Sequence, residues 1–249
     1  MKVVILLLFF ASILFGAESK KIYFYATDLN IHNFKFLKIK FDNYLQKYGS
    51  YEFQPFDDKE TFENYLSVKN STIMLSSWHF KQIKEQYNLK AKLIANKQNS
   101  ITNKIILVGQ KDSTLSGTVA SAYDKKFATQ KLNNLVKNKD ISLLLVPKEI
   151  DALMSVGFGM SDFALVSDDS LELLKQINPS LGENLVVYKK TKDIYRMILS
   201  YNGKEDEKLT SIFLNINNDA EGKEILNKIA IDSMVVLSQK DLKKLGAKR

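Results

Sequence analysis

Short β-rich runs alternate with helical patterns along nearly the whole chain, and this alternation restricts the fold more than any other feature. KIYFYAT, residues 21–27, is a β-rich run that ends at Thr27. Residues 34–48 carry Phe34, Leu37, Phe41, Tyr44 and Leu45 at helical spacings of three and four. A short strand is expected at 51–54, then a helix over 57–68, where Asp57 and Asp58 suit the cap and first turn. The strand TIMLS (72–76), a helix over 78–87 and strands at 91–95 and 103–109 follow. A second series opens with the strand GTVAS (117–121) and a helix over 122–136. It continues with strand 141–146, helix 148–156, strand 162–167, helix 169–177 and a returning strand at 185–188. Strand 194–201 and helices over 205–216, 220–229 and 239–245 complete the pattern.

Strands separated by helices imply mostly parallel sheets covered by helices. There are too many strands for one sheet of ordinary size. Two α/β lobes are therefore expected, the first built from 18–109 and 190–249 and the second, 110–189, inserted into it. With 249 residues, 45% of them hydrophobic, the chain has enough apolar material for two cores.

The first 17 residues, MKVVILLLFFASILFGA, place Lys2 before an apolar run and small residues at Gly16 and Ala17. That is the layout of a secretory signal peptide cut after Ala17, with an uncleaved anchor as the alternative. There are no cysteines, which excludes disulfides, thiolate metal sites, cysteine nucleophiles and a lipid-bearing cysteine. An exported chain of this kind fits a periplasmic protein. The net charge of +8 comes from scattered lysines and not from a basic stripe, and export argues against a nucleic-acid partner. His32 and His79 are the only histidines, and no H-E-x-x-H spacing occurs, so neither a metal nor a cofactor is expected. No G-x-S-x-G elbow points to a hydrolase.

The glycines of SVGFGMSDFALVS, residues 155–167, resemble a nucleotide loop only superficially. Asp162 stands where a third glycine would be needed, and the glycines follow a helix and precede a strand. Gly157 reads as the C-cap of helix 148–156, residues 158–161 as a turn, and Ser167 as the strand's carboxyl end.

The run EIDALMSVGFGMSDFALVSDDSLELLKQINPSLGENL, residues 149–185, resembles the second lobe of the phosphate/phosphite/phosphonate-type substrate-binding proteins of ABC importers. GTVASAYDKKFATQKL (117–132) takes the place of that family's ligand-loop helix, and NDAEGKEILNKIAIDSMVVLSQKDLKKL (218–245) resembles its C-terminal helices. The resemblance implies the type II periplasmic-binding-protein fold, in which two lobes joined by two crossovers close on a ligand. One departure stands out. The family's Ser/Thr-rich loop is here ASAYD (120–124), with a single hydroxyl of that kind, Ser121, and an acid, Asp124.

In open α/β sheets, ligands sit beyond the carboxyl ends of the strands. Candidate ligand-binding residues are therefore Thr27, Ser76, Ser77, Trp78, His79, Ser121, Ala122, Tyr123, Lys148 and Ser167. Ser121 either presents a helix N-terminus to a polar ligand group or simply caps the helix, with Asp124 completing the cap. Ser77 is a donor or an N-cap, Trp78 a cleft wall or core, and Lys148 a cleft charge or a surface lysine. The expected protein is a monomeric, non-catalytic periplasmic receptor for a small ligand, which the resemblance implies is anionic and phosphate- or phosphonate-like. It would deliver that ligand to the permease subunits of an ABC importer or, alternatively, report it to a membrane signalling partner.

Overall fold

A computed structural model describes residues 19–29, 31, 33–137 and 140–247. The expected signal peptide and His32 lie outside the described residues.

The first sheet is built on the β-rich run, β1 (Lys20–Tyr25), which pairs in parallel with β2 (Tyr51–Pro55) and β3 (Ser71–Leu75). Helices α1 (Phe34–Gln46) and α2 (Lys59–Tyr65) make the two crossovers. Leu37, Phe41, Tyr44 and Leu45 bury the expected stripe of α1, and Asp58 caps α2 by accepting from the Thr61 N–H at 2.7 Å. After α3 (Ser77–Ile83) comes β4 (Leu89–Asn96), which borders the late strands β12 (Ile198–Asn202) and β13 (Ser233–Val236). The six-stranded order is β13-β4-β12-β3-β1-β2. Helices α8 (Glu207–Asn215), α9 (Ala220–Lys228) and α10 (Gln239–Leu245) complete this lobe.

The second sheet has the order β10-β6-β9-β7-β8, from β6 (Ile105–Gln110), β7 (Gly117–Ser121), β8 (Ile141–Leu145), β9 (Phe163–Ser167) and β10 (Leu185–Lys190). Helices α4 (Lys125–Leu135), α5 (Glu149–Gly157), α6 (Asp168–Ile177) and α7 (Pro179–Glu183) lie between its strands in the chain. The expected lobe boundary at 110 falls one strand late. Residues 105–110 pair antiparallel with β9 and β10, so that strand belongs to the second sheet. An apolar run signals burial but not which sheet it joins.

The lobes are linked by two passing strands, β5 (Thr102–Asn103) and β11 (Ile194–Tyr195), which pair antiparallel as a two-stranded ribbon. The expected strand 194–201 is thus two strands. Arg196 donates its N–H to Ile101 O, and the Met197 carbonyl accepts from Ala95, while the chain passes from the ribbon to the first sheet. Each sheet is packed on both faces by apolar clusters.

Two turn expectations also change. Asp124, not Ser121, caps α4, so the helix starts three residues later than expected. Gly157 is the last residue of α5, and Gly159 takes the left-handed conformation at φ +72°. What requires glycine at 157 is space, because a Cβ there would meet the Leu181 side chain at 2.3 Å.

Candidate functional site

The carboxyl ends of β1 and β9 face each other across the lobes and open on a cavity of about 500 Å³. Asp28, Leu29, Met197 and the 230–232 turn wall it from the first lobe. Ser167, Asp169, Ser170 and Leu173 wall it from the second, and Asn103 of the ribbon closes one end.

Glu149 is the polar centre of the lobe contact, although it stands in the first turn of α5, where an acid would ordinarily serve only the helix dipole. Its side chain is 1% exposed. Oε2 accepts from the Ser167 N–H at 2.7 Å, from Ser167 Oγ at 2.6 Å and from Ser170 Oγ at 2.6 Å. Oε1 makes no short hydrogen bond, but the Tyr123 hydroxyl stands beside the carboxyl and helps to hold its charge. Burial, reinforced by the charge of Asp28, pushes the Glu149 carboxyl up to about 7, against the pull of Ser167 and Ser170. Asp28 is likewise raised by burial, and Ser76 Oγ donates to it at 2.6 Å.

Asp169 sits differently. Burial pushes its carboxyl up, but the hydrogen bond and charge of Arg196, joined by Lys97, hold it below the ordinary range. Lys97 Nζ is 3.1 Å from Asp169 Oδ1, and Arg196 binds Oδ2 while donating Nε–H to the Ser100 carbonyl at 3.0 Å. One acid of the second lobe is thereby tied to both chain crossings.

The backbone joins the lobes directly at the mouth of α5. The Glu149 N–H donates to the Thr27 carbonyl at 3.2 Å, and Lys148 Nζ donates to the Ile31 carbonyl at 2.8 Å. The positive charge expected of Lys148 is therefore engaged by first-lobe backbone. Thr27 itself is buried, with Oγ1 unpartnered.

The expected site residues fall into three groups. Ser167 lines the cavity, and Ser76 reaches it through Asp28. Ser76 is the residue at the N-cap of α3, while Ser77 donates to the Tyr195 carbonyl of the ribbon. Trp78, stacked on His79 and meeting Tyr123 edge-on, forms an aromatic bridge between the lobes. Trp78 lies 5.2 Å from the His79 ring, 5.7 Å from Tyr123 and 5.4 Å from Phe127. Trp78 also lines a smaller pocket of about 340 Å³ with Lys81 and Lys131. His79 is fully buried and bonds Glu63 at 2.7 Å; burial lowers its pKa more than the Glu63 carboxylate raises it. Tyr123, also buried, has its hydroxyl pKa pushed well up by burial and by Glu149.

Ser121 and Ala122 make the third group. Ser121 is fully buried: Oγ donates to the Leu165 carbonyl at 3.3 Å and accepts from the Tyr123 N–H at 3.2 Å. Its hydroxyl serves the end of β7 and not the cavity wall. Ala122 is buried beside it. Asp28, Glu149, Asp169 and Arg196 were not among the expected site residues. The one local signal was positional, since Asp28 directly follows the first strand run and Asp169 the strand ending at Ser167.

No family model and no curated sequence matches this chain. Solved structures do match in fold. PhnD1 from Prochlorococcus marinus, in complex with methylphosphonate, superposes with a TM-score of 0.73 at 14% identity, covering 92% of this chain and 97% of that one. A binding protein component of an ABC phosphonate transporter from Pseudomonas aeruginosa gives 0.69 at 15% identity, covering 92% and 86%. A histidine kinase sensor domain similar to periplasmic binding proteins gives 0.50 at 17% identity, covering 89% and 98%. Together with two lobes, a two-stranded crossing and a cavity at the facing strand ends, these likenesses identify the architecture: the chain has the two-lobed type II periplasmic-binding-protein fold.

Proposed function

We propose that this chain is a non-enzymatic, exported solute-binding protein that captures a small ligand in the cavity between its lobes. The observation that carries the reading is the convergence of the β1 and β9 carboxyl ends on one cavity beside the crossing ribbon. A ligand held there touches both lobes at once, so it stabilises the closed arrangement by its differential affinity for it. The permease subunits of an ABC importer would then read the closed form in the periplasm. Ser167, and Ser76 through Asp28, are the expected residues best placed for contact.

The test is a thermal-shift screen of oxyanions and small metabolites on the full chain, followed by Trp78 fluorescence for each compound that stabilises it. A raised melting temperature with a fluorescence change and no turnover supports the reading. Turnover of a stabilising compound contradicts it. The second reading, a sensor module, is supported by the fold shared with the kinase sensor domain. Neighbouring permease and ATPase genes favour transport; an adjacent kinase or cyclase gene favours sensing.

A further inference from the structure

Two-lobed receptors of oxyanions need hydrogen-bond donors free at the strand ends. In this chain the donors at the start of α6 are already used. The Ser167 N–H, Ser167 Oγ and Ser170 Oγ all donate to one oxygen of Glu149. The chain's own carboxylate thus occupies the anion seat of that helix terminus.

The positive charges at the cavity are used as well. Lys97 and Arg196 line it, and both are paired with Asp169. Among the described residues, the other charged groups of the wall are Asp28, Glu172 and Asp232, all acids.

A buried acceptor stands without a partner at the same place. Asn103 lines the cavity, is 8% exposed, and has no partner for Oδ1; its Nδ2 points to Asp169 Oδ2 at 3.4 Å, which fixes the amide's orientation. Glu149, by contrast, lies behind the cavity-lining Ser167 and Ser170, buried and with the Tyr123 hydroxyl beside its carboxyl, so it shapes the wall without facing the cavity. A buried acceptor left unpaired costs free energy that a donating ligand would recover. An acceptor without a donor, in an acidic wall, suits a group that carries several N–H bonds and a positive charge.

Resting on the interlobe capture proposed above, we infer that the cavity selects an organic cation, a small solute with a protonated amine, and not a phosphate-like oxyanion. The ammonium group takes Asn103 Oδ1 and Asp28, and the remainder of the solute lies against Leu29, Met197 and Leu173.

The experiment is isothermal titration and thermal shift of the full chain with putrescine, agmatine and arginine. Inorganic phosphate, methylphosphonate and calcium chloride form the opposing arms. At least one amine is expected to bind and raise the melting temperature, with affinity reduced tenfold or more in Asn103→Ala and in Asp28→Asn. Near-UV circular dichroism of both variants should match the parent, and two separate variants guard against a folding defect in either. Stabilisation by phosphate, methylphosphonate or calcium in place of the amines overturns the organic-cation assignment and leaves interlobe capture standing. Amine binding unchanged in both variants overturns the residue assignment. No binding by any probe overturns the cation assignment, and interlobe capture then stands or falls on the wider metabolite screen.

Discussion

Ser167 Oγ donates to Glu149 Oε2 over 2.6 Å, which ties the carboxyl end of β9 to the first turn of α5. The next atoms along α5 bind the first lobe, because the Glu149 N–H donates to the Thr27 carbonyl. One residue therefore organises the second lobe's strand end with its side chain and meets the first lobe with its backbone. Its carboxyl is buried, close to Asp28, and raised to about 7.

That shift makes stability depend on pH. The folded state holds a proton on Glu149 that the unfolded chain releases near pH 4.5. The favourable contribution is complete below that value and is lost as pH rises toward about 7. Asp28, raised by burial, acts with the same sign. Urea denaturation between pH 4.5 and 7.5 should show stability attributable to this site falling by about 1–3 kcal/mol in the parent. Glu149→Gln should flatten that slope. An identical slope in the variant would remove Glu149 from the account.

Trp78 crosses from the first lobe into the apolar cluster of the second, beside Tyr123 and Phe127. Trp78→Ala should cost about 3–5 kcal/mol by opening a cavity in that cluster. Trp78→Phe should retain most of the stability. Because Trp78 is the only tryptophan, its emission should be blue in the native chain and shift red on unfolding. Red emission from the folded protein would contradict its burial.

Ser121→Ala removes the hydroxyl that accepts the Tyr123 N–H and donates to the Leu165 carbonyl. A loss of about 1–2 kcal/mol is expected from the stranded backbone groups. Ligand affinity should change less than in a cavity variant such as Asp28→Asn. A larger affinity loss in Ser121→Ala, with unchanged stability, would return Ser121 to the site.

Arg196→Ala leaves Asp169 with Lys97 and the long bond from Asn103, and breaks the bond to Ser100 at the crossing. Chemical denaturation should register a loss of about 1–2 kcal/mol. Amide hydrogen exchange should rise at 100–103 and 194–197 before it rises in either sheet. Uniform exchange over the whole chain would show that the pin does not act locally.

Much of the architecture was legible because strands and helices announce themselves through spacing. The buried stripe of α1, the Asp58 cap and the position of Ser167 at the end of β9 all follow from local chemistry. The second sheet's first strand was not legible, since IILVGQ is equally apolar whichever sheet receives it. The capping choice between Ser121 and Asp124 was also ambiguous. Asp124 takes the cap because the β7 end holds the Ser121 hydroxyl against Leu165. The Asp28, Glu149 and Asp169 centre depends on which strand ends meet across two lobes, and no spacing within one segment carries that information.

The central claim, that the lobes close on a ligand, is tested most directly by an interlobe distance. The chain has no cysteines, so Glu60→Cys on α2 and Thr129→Cys on α4 place two spin labels on opposite lobes without competing thiols. Pulsed electron–electron resonance would compare the label separation without and with a compound that raises the melting temperature. The expected result is a broad or long distance that narrows and shortens on saturation. A distance distribution unchanged by a saturating, stabilising ligand would contradict the account.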